Sequence, residues 1–524
     1  IQFLQISSIL LAGLRRLGTV AVYGTRMASF SVRSGLTATP RAPHHSLIIV
    51  GQNKHVKNIS FDTLSAKLEG HIDEAGWTEA LARLPAAGSL PIYLNQAKVI
   101  SISDTASRHN SPANPHAVTK EVRAAAGGVG KETTSLSVVI VTEYAHALAN
   151  VAAVARCFPL YSRKTTPPTL KEVNVEVVCL DKDVSAEDVA ALDSVAASVR
   201  TTARLIDTPA NELTTDAFVD EALAVAKQLG NGILTTVIKG EELATRGFGG
   251  IYHVGKAALQ PPAFVVLTHQ PEGATSTYAL VGKGIVYDTG GMQIKGKTGM
   301  PSMKMDMGGA AALLTSFATL VAAGFKQNLH VCLCIAENNI SPVANKPDDI
   351  ITLLSGKTVE INNTDAEGRL VLSDGVFYAK ETLKADVIVD MATLTGAQAH
   401  MTGKHHAAVL TNCELFEEKI VRAGRFSGDL IHPMVFAPDL HFPDLNSSVA
   451  DMKNSNLGKM MGPPSAIAGH FIGSNIAFGE GLRWAHIDMA CCAMEGERAL
   501  GYGVALMSAM LGDHTNAPVL TEAK

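Results

Sequence analysis

The sequence predicts an α/β protein of two domains, a smaller N-terminal one and a larger C-terminal one with a central mixed sheet flanked by helices. Three observations carry this expectation. Short apolar runs alternate with helix-length segments along most of the chain, the order that builds α/β layers. The runs are apolar at nearly every position, which is the pattern of strands covered on both faces. A length of 524 residues is more than one typical domain holds.

In chain order, folding is expected to begin at Ser46-Leu-Ile-Ile-Val50, a strand that Gly51 ends. Leu136–Val141 reads as a second strand, leading into a helical pattern over residues 144–158. A strand over Val173–Leu180 and a helix over about 186–205 follow, with Ser185 as its N-cap. The low-charge stretch 104–135, containing Gly, Pro and Ser, reads as loop. Asp207-Thr-Pro-Ala-Asn211 reads as a hinge. The expected divisions are an extension over 1–43, an N-terminal α/β domain over 44–184, a linking helix and hinge over 185–210, and a C-terminal domain over 211–524.

In the C-terminal part, Thr214 or Thr215 caps a helix over roughly 218–229 that Gly230 ends. Strands are expected at Ile233–Ile238, Phe264–Leu267, Tyr278–Val281, Leu329–Ala336, Ala385–Asp390 and Ala407–Leu410. Helices fill 307–323 and 368–382. Ligands of such sheets sit beyond the carboxyl ends of the strands.

The apolar share of 47% and charged share of 18% describe a large globular core. A net charge of -5, with no arginine-rich helix or zinc-finger spacing, points away from nucleic acid. Seven cysteines are too sparse for a disulfide framework. The pairs Cys332/Cys334 and Cys491/Cys492 read as buried thiols, and the chain as a protein of a reducing compartment. Residues 1–43 hold no Asp or Glu, and their apolar patches fall short of the ~20 residues that span a membrane. That stretch reads as translated upstream sequence before Met27, against a mitochondrial presequence or an ordinary flexible extension. Localisation is therefore expected to be cytoplasmic, with mitochondrial as the alternative.

Against this sparse charge two segments stand out. One runs from Val281-Gly-Lys-Gly-Ile-Val-Tyr-Asp288 through Lys295 to Met303-Lys-Met-Asp306. The other is Glu360-Ile-Asn-Asn-Thr-Asp-Ala-Glu-Gly-Arg369. Asp288, Asp306, Asp365 and Glu367 are carboxylates set among apolar residues and glycine, where ionised groups without partners are very unfavourable. Divalent ions together with Lys283, Lys295 and Arg369 would balance them. The bland reading, in which Asp306 and Asp365 cap helices and the lysines are surface charges, fits any one residue better than all seven. An oxygen-rich set argues for Mg, Mn or a carboxylate-bound Zn pair. Gly291 to Thr298 fits the phosphate-loop pattern GxxxxGK[ST], but Gly299 and Pro301 stand where that loop needs a helix. There is no HExxH and no GxSxG. His405, His406, His470 and His486 are scattered and read as structural, the first two bordering the site.

Asn363-Thr-Asp-Ala-Glu-Gly-Arg-Leu370 is identical to the signature octapeptide of the leucyl aminopeptidase (cytosol aminopeptidase, M17) family, and Gly282–Gly309 and Ala392-Thr-Leu-Thr-Gly-Ala397 resemble two further family stretches. The resemblance covers about 205–518. It implies that Lys283, Asp288, Asp306, Asp365 and Glu367 bind two divalent metals, Zn or Mn or Mg. It also implies that Lys295 polarises the scissile carbonyl and that Arg369 holds a bicarbonate acting as general base. Met303, Asn363, Thr393, Leu394, Thr395 and Gly396 fall at substrate-binding positions. Tyr287, Thr289, Ser373 and Gly375 depart from the commoner family residues, and none of these changes removes a catalytic group.

The implied activity is removal of the N-terminal residue, Leu- or Met-like, from small peptides with a free N-terminus. The implied assembly is a homohexamer, with no nucleic-acid or membrane partner. Two other classes remain as alternatives: a two-metal phosphoesterase, for which the three basic residues would hold phosphate, and a non-catalytic scaffold or DNA-binding role.

Overall fold

Six strands make the N-terminal sheet: β1 Ser29–Ser34, β2 His45–Gln52, β3 Gly88–Ile92, β4 Ala97–Ile102, β5 Ser135–Thr142 and β6 Glu172–Cys179. They lie in the order β1-β6-β5-β2-β4-β3. All pairs are parallel except β3 with β4. The structure is a computed structural model and describes residues 27–38, 44–68, 70–94, 96–459 and 462–522. Val138, Val139 and Ile140 on β5 are fully buried, as are Ile48 and Ile49 on β2. Adjacent residues face opposite sides of the sheet, so both sides are covered.

Two expectations for this domain need correction. Residues 1–43 were expected to lie outside the fold, yet Ser29–Ser34 pairs with β6 and buries Phe30 and Val32. Its backbone is held by Asp193, whose Oδ1 accepts from Val32 N at 2.7 Å. The alternation of small polar and apolar residues in Ser-Phe-Ser-Val-Arg-Ser is an edge-strand pattern hidden by the basic, acid-free composition around it. The other expectations for the leader fall on 1–26, outside the described residues. The loop expected over 104–135 contains a helix, Pro115–Gly127, with Val118, Val122 and Ala125 buried at helical spacing. Pro115 sits at its first turn, where a missing N–H does no harm.

The larger sheet has eight strands. In chain order they are β7 Ile233–Lys239, β8 Ala263–His269, β9 Thr277–Asp288, β10 Asn328–Asn338, β11 Val387–Ala392, β12 Ala407–Thr411, β13 Ile431–Pro433 and β14 Arg483–Asp488. Their order is β13-β12-β14-β11-β9-β10-β8-β7. The sheet is mixed: β10, β9, β11 and β14 run parallel, whereas β7, β8 and β12 are antiparallel to their inner neighbours. One face packs on the helix Gly308–Ala322, the other on Gly368–Glu381 and Pro464–Ser474. Gly282 permits the first contact, since a Cβ there would lie 2.4 Å from Ala310 Cα.

The helix Ala186–Asp207 joins the domains and does not behave as a loose linker. Ser185 and Asp188 form a reciprocal capping box at its start. Its first half buries Leu192, Val195 and Val199 in the N-terminal core, and its end buries Leu205 and Ile206 in the C-terminal core. A buried ion pair of Arg156 with Asp429 adds a second tie between the domains. Met303–Ala322 is the one described helical stretch long and apolar enough to cross a membrane, and it is 83% buried in the core.

Because β9, β10, β11 and β14 are parallel neighbours, their carboxyl ends meet along one edge of the sheet. Asp288 ends β9 and Asn338 ends β10, in register with one another. Ala392 ends β11 opposite Asp488, the last residue of β14.

Candidate metal centre and active site

β9 delivers two of the polar groups. Lys283 lies within the strand, its side chain only 2% exposed. Its Nζ is 2.8 Å from Asp306 Oδ1, 2.9 Å from Glu367 Oε1 and 3.1 Å from the Thr393 carbonyl. Gly368 makes room for it, because a Cβ there would meet Lys283 Nζ at 2.7 Å. Asp288 follows at the strand end, and its Oδ1 accepts from Gly290 N at 2.9 Å and Asn338 Nδ2 at 2.8 Å. Lys295 returns across the loop and places Nζ 2.7 Å from Asp288 Oδ2 and 2.5 Å from Asp365 Oδ1.

Asp306 comes from the short 3-10 turn Met303–Met307, which leads into the Gly308–Ala322 helix. Its Oδ1 also accepts from Thr393 Oγ1 at 2.9 Å. The helix-cap reading fails, since neither the Gly308–Ala322 nor the Gly368–Glu381 helix has a side-chain cap, and their N-cap residues are Met307 and Glu367. The Gly291–Thr298 segment is likewise followed by turn, with no phosphate-cradling helix.

Oxygen atoms of Asp288, Asp365 and Glu367 lie within 4.8 Å of one another. Burial, and then the neighbouring carboxylates, push the Glu367 and Asp365 carboxyls above the ordinary range. Asp306 is raised well above it, again chiefly by burial. Burial opposes the charge of Lys283 and Lys295, but Asp306 and Glu367 for the first and Asp288 for the second outweigh it, and both lysines are raised. Asp306 Oδ2 is 2.8 Å from Lys283 Nζ yet accepts no aligned hydrogen bond. A divalent cation would relieve crowded, buried carboxylate oxygens of this kind, and the all-oxygen acidic donors suit a hard or borderline ion. The residues present therefore fit a metal site.

Arg369 opens the helix Gly368–Glu381. Its Nη1 donates to the Asn454 carbonyl at 2.8 Å, while Nε is buried without a partner. Burial draws its pKa down to about 10, with Glu367 and Asp488 acting the other way. A buried guanidinium with a free edge and no paired carboxylate is suited to a small oxyanion. Thr393, Leu394, Thr395 and Gly396 follow β11 directly, and exposure rises along them from buried Thr393 to exposed Gly396. Met303 is half-buried on the turn that bears Asp306. Asn363, half-buried, accepts at Oδ1 from Asp365 N at 3.0 Å.

Three further residues hold this arrangement, and sequence reasoning had missed them. Asn338 Nδ2 reaches Asp288 Oδ1 at 2.8 Å, the Thr364 carbonyl at 3.1 Å and Glu367 Oε2 at 3.4 Å, so one amide spans two of the clustered carboxylates. Asn454 clasps the signature loop: Oδ1 accepts from Asn362 N and Asn363 N, and Nδ2 donates to the Asn363 carbonyl at 2.6 Å. Asp488 accepts from Leu394 N, Thr395 N, Thr395 Oγ1 and Ser465 Oγ. Asn338 and Asp488 are last residues of central strands, and that position was the signal available for both.

The histidines take other places. His486 is buried against Asp390, whose other oxygen accepts from Trp484 Nε1 at 2.7 Å. His470 Nε2 accepts from Ala437 N. His405 and His406 were expected to border the site, and they meet the N-terminal domain instead: His405 packs on His116, and His406 Nε2 donates to the His109 carbonyl at 2.9 Å. All seven cysteines are free; Cys332, Cys334 and Cys492 are buried, and Cys491 is partly exposed.

The comparison with known proteins agrees with this geometry. Residues 200–508 match the family model of the cytosol aminopeptidase catalytic domain, and residues 45–167 match an M17 aminopeptidase N-terminal domain. The chain belongs to the cytosol aminopeptidase family. Leucine aminopeptidase 1 of Caenorhabditis elegans is 55% identical over 95% of this chain and 100% of its own length. Probable aminopeptidase NPEPL1 of Homo sapiens is 49% identical over 90% of this chain and 91% of its own. Among solved structures, the C. elegans leucine aminopeptidase superposes with a TM-score of 0.89 at 54% identity, covering 94% of this chain and 99% of that one. The leucyl aminopeptidase of Trypanosoma brucei, in complex with actinonin, gives 0.83 at 33% identity over 97% and 99%. This family member is a metal-dependent aminopeptidase that removes N-terminal residues. The phosphoesterase and scaffold readings gain nothing from these likenesses.

Asn338 gives this aminopeptidase a testable dependence. Asn338→Ala should weaken metal affinity about 10- to 100-fold, the usual effect of removing a group that orients metal ligands. Chelator competition with Zn and Mn measures it, and unchanged affinity would refute the role.

Proposed function

We propose that this aminopeptidase removes Leu- or Met-like first residues from small peptides, using two divalent ions, Zn or Mn, held by Lys283, Asp288, Asp306, Asp365 and Glu367. The observation carrying this reading is the convergence of those five side chains with Lys295 and Arg369 beyond four strand ends. When bound, two such ions supply an activated water and polarise the scissile carbonyl. Lys295, on the partly exposed side of the cluster, donates toward the carbonyl oxygen and stabilises the charge that develops there. Arg369 would hold bicarbonate along its free edge, an anion that would supply a general base. Asp488 fixes the Thr393–Gly396 loop so that its backbone presents a constant edge to the peptide. Half-buried Met303 and Leu394 offer apolar surface for the first side chain.

The cytosolic placement in the family's designation agrees with seven free thiols, and we place the enzyme in the cytoplasm. We propose a homohexamer as the working assembly, for which sedimentation should give six times the 55.1 kDa chain mass.

The test of the catalytic reading compares leucine amide with its N-acetylated twin. Metal-stripped protein should be inactive on both, and Zn or Mn should restore hydrolysis of the free-amine substrate alone. Equal turnover of the two would remove the exopeptidase reading, and no turnover of either would remove hydrolysis.

A further inference from the structure

A second concave site lies between the domains, apart from the metal centre. It is a cavity of about 180 Å3, lined by Gln52 at the end of β2, by Lys54, by Asp104 and Arg108 on the loop after β4, by His146, and by Arg425 from the helix Glu414–Ser427. Drug-sized ligands occupy roughly 300–1,000 Å3, so the occupant of this cavity is smaller.

Its polar groups divide into two sets. Arg108 and Arg425 have no hydrogen-bond or ion-pair partner among the described residues. Arg108 is the main cause that lowers the pKa of exposed His109, followed by burial, His432, His406 and Arg425. Two guanidiniums brought to one cavity without a counter-charge favour a bound carboxylate. Lys54 is already committed to Glu143, Nζ to Oε1 at 2.6 Å. The second set accepts. Asp104 makes no ion pair among the described residues, and its Oδ1 takes only the Lys54 backbone N–H, at 2.9 Å. Gln52 is 5% exposed; its Nε2 donates to the Pro112 carbonyl at 2.8 Å, which leaves Oε1 buried without a donor. A buried acceptor left unpaired is unfavourable until a donor reaches it.

We propose that this interdomain cavity binds a free α-amino acid as its zwitterion, the carboxylate on Arg108 and Arg425 and the ammonium on Asp104 and Gln52 Oε1. A phosphate-like anion matches the arginines but brings a like charge against Asp104 and no donor for Gln52. A metal cation would meet two guanidiniums. An amino acid satisfies both sets and fits the volume. It is also the class of molecule that an aminopeptidase releases, so the site would sense its product.

Calorimetric titration of L-leucine into full-length, metal-loaded protein tests this, whether or not the protein hydrolyses leucine amide. The parent should bind a second leucine per chain beside the one at the metal centre. Arg108→Ala/Arg425→Ala, two exposed and unpaired positions, should lose that second event while keeping the first. Asp104→Asn should separately weaken it by roughly 10- to 100-fold, the worth of one hydrogen bond to a charged group. Isoamylamine and isocaproate, each lacking one charge of leucine, should bind there weakly by a similar factor. The proposal is overturned by a single leucine per chain in the parent, by an undiminished second event in the variants, or by isocaproate binding as tightly as leucine.

Discussion

Glu367→Ala should leave the metal-loaded enzyme without measurable hydrolysis of leucine amide, a fall of at least ~10³-fold if one ligand of the activating ions is lost. The same change should destabilise the metal-free protein. Lys283, 2% exposed, has two carboxylates beside its ammonium, Asp306 and Glu367. Removing one partner of a buried ion pair typically costs about 3–5 kcal/mol. Asp306 remains, and Glu367 is itself repelled by Asp288 and Asp365 in the metal-free centre, so the loss should fall below that range. Urea unfolding of chelator-treated protein measures it. Glu367→Gln preserves the volume and should lose turnover as fully, which separates charge from packing. Retained turnover with unchanged stability would show that Glu367 does not belong to the centre.

Lys295→Met should move two quantities in opposite directions. Turnover should drop about 10²–10³-fold, the effect of removing one group that stabilises developing oxyanion charge. Metal affinity should rise. In the metal-free protein the Lys295 ammonium lies between Asp288 and Asp365, at 2.7 and 2.5 Å, and occupies oxygens that a cation would take. Without it those carboxylates face one another, and the ion gains what the lysine no longer supplies. Weaker metal binding in the variant, measured by chelator competition beside kcat on leucine amide, would show that Lys295 supports the ions instead of yielding to them.

Much of the site was legible because acidic residues in glycine-rich, apolar surroundings have few bland explanations. Asp288, Asp306, Asp365 and Glu367 could each be singled out before any fold was known, as could Lys283, Lys295 and Arg369. Strand positions were legible for a related reason: β9 and β10 are buried nearly end to end, so their sequences are mostly apolar, with Lys283 and His330 among the few charged or titratable residues inside them. The helix Pro115–Gly127 and strand β1 were not. Their signals are short, and each lies in a stretch whose composition resembles loop or leader.

Asn338, Asn454 and Asp488 show where reading along the chain stops. Each is an ordinary polar residue in its own neighbourhood. Each acquires a role only from partners 23 to 94 positions away. The same holds for Arg108 and Arg425, which share one cavity only because the domains close on each other.

The chain by itself therefore determined the chemistry available: the carboxylates, the two lysines, the arginine, and the strands and helices that carry them. Those follow from local composition and periodicity, which a linear sequence records. Tertiary structure alone decided which strand ends are parallel neighbours, which amide spans two carboxylates, and which face of Arg369 stays free. These are long-range pairings, set by sheet order and register, and no short window of sequence contains both partners.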